Sequence, residues 1–432
     1  MALRDARVIA LIAAVILPAC SESTSPPEEQ TGPPASIVFV SGDNQSAVAG
    51  ATLPARPVAQ VRDAAGHGVP NVSVVFTVIE GEGSIDAAGP VTTDGSGNAT
   101  APSWTLGKLA SPQSLRASVA PTPTTTITGV ASATVTTSYN LEVRFFGPPV
   151  NSIVSGVFNF AAARIKGAIT GDVFDAAAEA TPRDLSSNTS GCGVPGLPTS
   201  FSEKIDDLVI FATITPIDGP NNILGSAFPC LIRDGPAPNL QTVVGIMRFD
   251  SDDMENMILR GNFTDVITHE MLHVVGLGTL WGPEEYNLRQ GAGTPQSRYT
   301  GALGVGGCVA VGGASVCPGF VPLENTGGAG TADSHWNEAV FFNELMTGFV
   351  NTRNSVPTGL LNPFSLISLQ SLADLGYVVN SKAADPYTIP NPAAGSILGQ
   401  LNVGPAAEQW ERLERPRLRI NRSGKITRAV RQ

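Results

Sequence analysis

From Ala35 to about Thr137, apolar residues come in short runs broken by turn residues, and that pattern leaves few folds open. Ile37-Val38-Phe39-Val40, Val72 to Val78 and Leu115 to Val119 are rich in β-branched residues, with Asp94-Gly95-Ser96-Gly97-Asn98 as a turn signal between them. Successive side chains of a strand point to opposite faces, so runs of this kind predict an antiparallel β-sandwich over residues 36–137. At Ser138 the texture changes. Tyr139 to Phe146, Leu208 to Ile214 and Val243 to Phe249 read as strands, and Val154 to Ile165 has apolar residues at helical spacing. Alternating strands and helices followed by a loop-rich helical remainder predict an α+β domain over residues 138–380. The fold class expected is therefore multidomain, a β-sandwich followed by an α+β domain.

The two ends carry different information. Arg4 and Arg7 precede a ten-residue apolar run, Val8 to Leu17, too short to span a bilayer as a lasting helix. The run ends in Leu17-Pro18-Ala19-Cys20, which resembles the lipobox of bacterial lipoproteins, so residues 1–20 read as a lipoprotein-type signal peptide with Cys20 acylated. A plain secretory signal cut near Ala19 is the alternative. Residues 21–35 are rich in Ser, Pro and Glu and read as a linker. An exported, lipid-anchored protein of a bacterial envelope follows, and Ser21 after Cys20 is compatible with outer-membrane or surface display. Residues 381–432 form a Pro-rich, basic extension with one possible short helix near Glu408. Arg412 to Arg431 make its end a solvated basic tail by composition. The net charge of −11 excludes a general nucleic-acid binder. With Cys20 on lipid, Cys192, Cys230, Cys308 and Cys317 remain, an even set that suggests two disulfides in an exported chain. Three pairings are possible, and proximity along the chain favours Cys192–Cys230 and Cys308–Cys317.

The chain has four histidines. His67 lies in the turn Gly66-His67-Gly68 and reads as a surface residue. His269 and His273 belong to His269-Glu270-Met271-Leu272-His273. Four residues advance about 400° on a helix, so both rings leave one face a turn apart, with Glu270 beside them. Asn262 is placed as N-cap, with Asp265 in the first turn. Phe263, Val266, Ile267, Met271 and Val274 form an apolar stripe, and Gly276 and Gly278 end the helix. Two imidazoles and a carboxylate set against an apolar stripe would be costly without a cation, so the pattern predicts a metal site. A catalytic zinc needs a third protein ligand, and His335 is the histidine that remains.

Around His335 the chain resembles the leishmanolysin family, a branch of the metzincin zinc peptidases. The match runs from His269-Glu270-Met271-Leu272-His273-Val274-Val275-Gly276 to His335-Trp336 and Glu344-Leu345-Met346-Thr347-Gly348. Tyr299-Thr300-Gly301, Val321 to Asn325 and Asn362 to Tyr377 resemble that family's insertion and closing helix. The resemblance implies one Zn²⁺ held by His269, His273 and His335, Glu270 as catalytic base, and Met346 as a packing floor beneath the metal. Glu338 and Glu344 are expected to make local salt bridges or to support the site. The segment 279–334 is expected to form a rim pinned by a hairpin disulfide, Cys308–Cys317. In the N-terminal region, Val61 to Val78, Thr92 to Thr100 and Trp104-Thr105-Leu106-Gly107 resemble the immunoglobulin-like domain of intimin and invasin type, which implies a spacer or adhesive role. The function expected is a cell-surface zinc metalloendopeptidase that hydrolyses peptide bonds in proteins through a metal-bound water activated by Glu270. A surface adhesin or binding lipoprotein with a structural metal, and a zinc hydrolase acting on another bond, are the competing readings. Partners expected are protein or peptide substrates and a membrane reached through Cys20, with no nucleic acid.

Overall fold

The computed structural model describes residues 31–429 except 87–88, 123–124, 180, 221–222, 329, 350, 353–359 and 391–412. The signal peptide, residues 21–30 of the linker and the helix expected near Glu408 lie outside these residues.

The N-terminal region is sheet. Strands β1 (Ser36–Ser41), β3 (Val58–Arg62) and β7 (Asn98–Thr100) form one sheet. Strands β2 (Gln45–Ala47), β10 (Thr125–Val135), β9 (Pro112–Thr122), β4 (Ser73–Glu80) and β6 (Val91–Thr92) form a second. A short pair, β5 (Ser84–Ile85) with β8 (Trp104–Thr105), closes one side. Pairing is antiparallel throughout except β2 on β10. The alternation read from the sequence becomes alternating burial: Ala59 and Val61 of β3, and Val74 and Phe76 of β4, point into one core while their neighbours face out. Asp94 fixes its turn by accepting from the Ser96 and Asn98 amides, both at 2.8 Å. His67 is 40% exposed in its own turn beside Asp63.

The following region is built on a six-stranded sheet ordered β11-β12-β14-β13-β18-β19. Its strands are β11 (Leu141–Phe145), β12 (Leu208–Thr215), β13 (Gly225–Arg233), β14 (Thr242–Asp250), β18 (Leu418–Ile420) and β19 (Ile426–Arg428). The pairs β11–β12 and β12–β14 are parallel, whereas β13 runs antiparallel to β14. In β12, Leu208, Ile210 and Ala212 face one core while Val209 and Phe211 face another. A strand buried on both faces needs such a continuous apolar run. On the first face lie helices α1 (Ser152–Ala168) and α3 (Phe263–Val275), with the short α2 (Met254–Arg260) before α3. The second face carries the disulfide Cys192–Cys230.

Three elements differ from the sequence reading. Strand β13 was not expected, because Pro229 interrupts its run and a proline cannot donate to a ladder. The strand tolerates it at a register shift between Pro229 and Leu231. The basic tail is not wholly solvated: β18 adds parallel to β13, and Arg419 donates to the Glu284 carbonyl at 2.9 Å. The third is in the insertion, where β15 (Arg289–Gln290), β16 (Arg298–Tyr299) and β17 (Val321–Pro322) form a small sheet. There Cys308–Cys317 closes no hairpin, since Cys308 ends helix α4 (Ala302–Cys308). Glycines Gly304, Gly306 and Gly307 argue against a helix by propensity. Packing overrides them: a Cβ on Gly307 would stand 2.6 Å from the Leu366 carbonyl oxygen of helix α6 (Leu366–Asp374). From α6, Asp374 also accepts the Leu303 and Gly304 amides at 3.0 and 2.8 Å, capping α4. Another short helix, α5 (Glu338–Phe341), follows the third histidine.

Both favoured disulfides are present. Loop-closure entropy makes the one spanning 38 residues worth more than the one spanning 9. Replacing Cys192 and Cys230 by alanine should cost about 4 kcal/mol, and the same change at Cys308 and Cys317 about 3 kcal/mol, in urea unfolding of the full chain.

Candidate metal centre

Helix α3 carries His269 and His273 a turn apart, and every side chain from Val266 to Val275 is buried. Asn262 stands at the N-cap position, but its side chain makes no capping bond. Asp265 does not act mainly on the helix dipole either, because burial dominates and pushes its carboxyl up to about 6, against a bond from Asn362 Nδ2 at 2.8 Å. The folded-state pKa then exceeds the unfolded one near 3.8, so this group stabilises least above the folded value, and stability falls as pH rises from about 4 to about 6. Asp265→Asn should flatten that interval and gain about 2 kcal/mol at neutral pH, measured by urea unfolding across the range.

Gly276 ends α3 at φ +130°, and Gly278 follows at φ +75°. A Cβ on Gly278 would stand 2.2 Å from the Ser334 carbonyl oxygen, so only glycine lets the chain after the helix lie against the segment carrying the third histidine. That segment is extended and held on both sides. Trp336 bridges to Leu323 and to Thr347, its amide donates to the Met346 carbonyl at 2.9 Å, and Glu324 N donates to the His335 carbonyl at 2.9 Å. The Trp336 ring is buried among Trp281, Tyr299 and Phe341.

The outcome is three rings on one point. Nε2 of His273 lies 2.9 Å from Nε2 of both His269 and His335, and the latter two are 3.1 Å apart. Each Nδ1 faces a backbone carbonyl: Leu345 for His269 at 2.7 Å, Leu277 for His273 at 2.7 Å, and Thr331 for His335 at 2.8 Å. Carbonyls only accept, so each neutral ring carries its proton on Nδ1 and presents a bare lone pair at Nε2. Three converging lone pairs repel unless a cation sits between them. A tetrahedral zinc with bonds of about 2.0–2.1 Å spaces its nitrogens by about 3.3–3.4 Å, within a few tenths of an ångström of what these rings show. The donor set fits one zinc ion. Among the described residues these three histidines form one of two groups able to hold a metal, and the other is purely carboxylate.

Residues 189–398 match the sequence profile of the leishmanolysin family. This stretch resembles the leishmanolysin family. The family is one of zinc metalloendopeptidases, so the chain is a zinc-dependent peptidase acting on proteins or peptides. No curated protein matches the chain. The leishmanolysin match begins after β11 and α1, although β11 pairs with β12 inside the matched stretch.

Around the leishmanolysin-type centre, several supports could not be read from the sequence. Glu344 is fully buried and accepts from Met346 N at 2.6 Å, Ser365 Oγ at 2.7 Å and Ser368 Oγ at 2.7 Å. Ser368 Oγ in turn accepts from Trp336 Nε1 at 2.7 Å. Burial raises the Glu344 carboxyl, and these donors oppose the rise. Burial also lifts Glu338 to about 8, with Thr347 opposing and Glu324 adding to the rise. The salt bridges expected of these two acids are not formed among the described residues, since no cation approaches either one. Met346 is buried at the turn between Leu345, whose carbonyl accepts the hydrogen bond from His269 Nδ1, and Thr347.

Proposed function

We propose that the chain hydrolyses peptide bonds at one zinc ion held by the Nε2 atoms of His269, His273 and His335, with Glu270 as the catalytic base. The observation that carries this reading is the convergence of three Nε2 lone pairs within 2.9–3.1 Å while every Nδ1 is committed to a carbonyl. Bound zinc supplies Lewis acidity toward water and the scissile carbonyl. Glu270, buried on the same helix turn, accepts the proton of the attacking water and passes it to the leaving amine. The three carbonyl partners fix the ring tautomers, so the histidines need not shed a proton to bind. A merely structural ion asks for a closed four-ligand shell and no adjacent carboxylate, which disfavours the adhesin reading.

The reading extends to location. Cys20 after a short apolar run supports lipid anchoring, and two disulfides suit an oxidising compartment outside the cytoplasm. Among the described residues no helix is long and apolar enough to cross a membrane. The two N-terminal sheets support an immunoglobulin-like module over residues 36–137, ahead of a peptidase domain over residues 138–380. Casein digestion by the full chain is the test: 1,10-phenanthroline should abolish cleavage and added zinc should restore it. Cleavage that persists after complete zinc removal contradicts the proposal.

A further inference from the structure

We infer that Lys108 and Asp385 are positioning residues for the metal centre, through which the sheet-rich N-terminal region holds the Met346 turn and the His269 ring in place. The inference rests on the zinc reading above only for its consequence on metal binding.

The two regions meet through backbone in contact. A Cβ on Gly167 would stand 1.9 Å from the Lys108 carbonyl oxygen, and one on Gly50 would stand 2.7 Å from that of Lys382. Ala110 N donates to the Ala163 carbonyl at 2.9 Å, and Asn380 Nδ2 donates to the Ala49 carbonyl at 2.6 Å. A single buried apolar cluster runs from Ala49 and Trp104 through Phe158 and Ile165 to Phe364. Such a joint has no slack for a swinging spacer.

From this joint a chain of bonds leads inward. Lys108 Nζ donates to Asp385 Oδ1 at 2.6 Å and to the Ala384 carbonyl at 2.7 Å. Arg164 Nη2 lies 3.2 Å from the same carboxylate oxygen and donates to the Ala383 carbonyl at 2.6 Å. The other oxygen of Asp385 accepts from Phe364 N at 3.0 Å. On either side of Phe364, the Pro363 carbonyl accepts from Leu345 N at 3.0 Å, and Ser365 Oγ donates to Glu344. Leu345 and Glu344 define the turn: the Leu345 carbonyl accepts from His269 Nδ1, and Glu344 accepts from Met346 N. Lys108 is therefore joined to Leu345, whose carbonyl fixes one ring of the triad, by three hydrogen bonds and the Pro363–Phe364 peptide bond. Lys108 and Asp385 are only 27% and 19% exposed, so their pair is less screened than a surface bridge.

The test uses the full chain in four forms: unchanged, Lys108→Met, Lys108→Arg and Val61→Ala. The last removes core volume from the N-terminal region without touching this path, and controls for lost stability. Hydrogen exchange of residues 342–348, read by peptide mass spectrometry, should accelerate about tenfold in Lys108→Met. Release of Co²⁺ substituted at the triad should accelerate by a similar factor, with an altered visible spectrum. Lys108→Arg should restore both, and Val61→Ala should change neither. Unchanged exchange in Lys108→Met, or equal acceleration in Val61→Ala, overturns the inference. Faster turn exchange in a chain that binds no Co²⁺ would uphold the coupling and sink the zinc reading instead.

Discussion

Glu270→Gln should leave zinc bound and lower kcat/KM for a peptide substrate by about three orders of magnitude. Glutamine has the shape of glutamate and fits the same fully buried position on α3, so the fold and the three ring nitrogens stay where they are. It cannot accept a proton at neutral pH. The loss corresponds to about 4 kcal/mol of transition-state stabilisation, with KM little changed because substrate binding does not use this proton. Zinc content, kcat and KM measured on one preparation separate the three quantities. A variant that kept full activity would remove Glu270 from the chemistry.

His335→Ala acts at the other end of the same problem. Two imidazoles from one helix turn are left, and their ion loses the ligand that comes from far along the chain. Changes to residues that merely orient a ligand cost about 10–100-fold in affinity, so deleting a ligand should weaken zinc binding by at least about a hundredfold. Activity should vanish at submicromolar free zinc. The next residue, Trp336, keeps its contacts with Trp281 and Tyr299, and these hold the local chain in place. Competition with a fluorescent chelator gives the affinity, and near-ultraviolet circular dichroism checks that the aromatic cluster survives. Equal affinity in the variant and the unchanged chain would exclude His335 as a ligand.

Much of this site is legible in residue spacing. The four-residue step from His269 to His273 demands a helix, and α3 supplies it. Gly276 and Gly278 announce a turn, and the turn brings Ser334 and His335 against the helix end. The double-sided apolar runs of β12 and β14 read as buried strands for the same reason that they are buried. What stayed hidden depends on partners far along the chain. Pro229 disguises β13, three glycines disguise α4, and β18 is three residues long and takes its hydrogen bonds from β13. The carbonyls of Leu345, Leu277 and Thr331 carry no signature, because every residue has a carbonyl and only the fold selects these. Glu344 was visible as an acid near the centre. Its serine partners on α6 and its hold on the Met346 amide follow from packing alone.

X-ray absorption at the zinc edge tests the central assignment most directly. The purified chain, loaded with one equivalent of zinc, should show three imidazole nitrogens and one oxygen donor at about 2.0–2.1 Å, with no sulfur near 2.3 Å. A spectrum with sulfur in the shell, or with fewer than three imidazoles, would contradict a centre built from His269, His273 and His335.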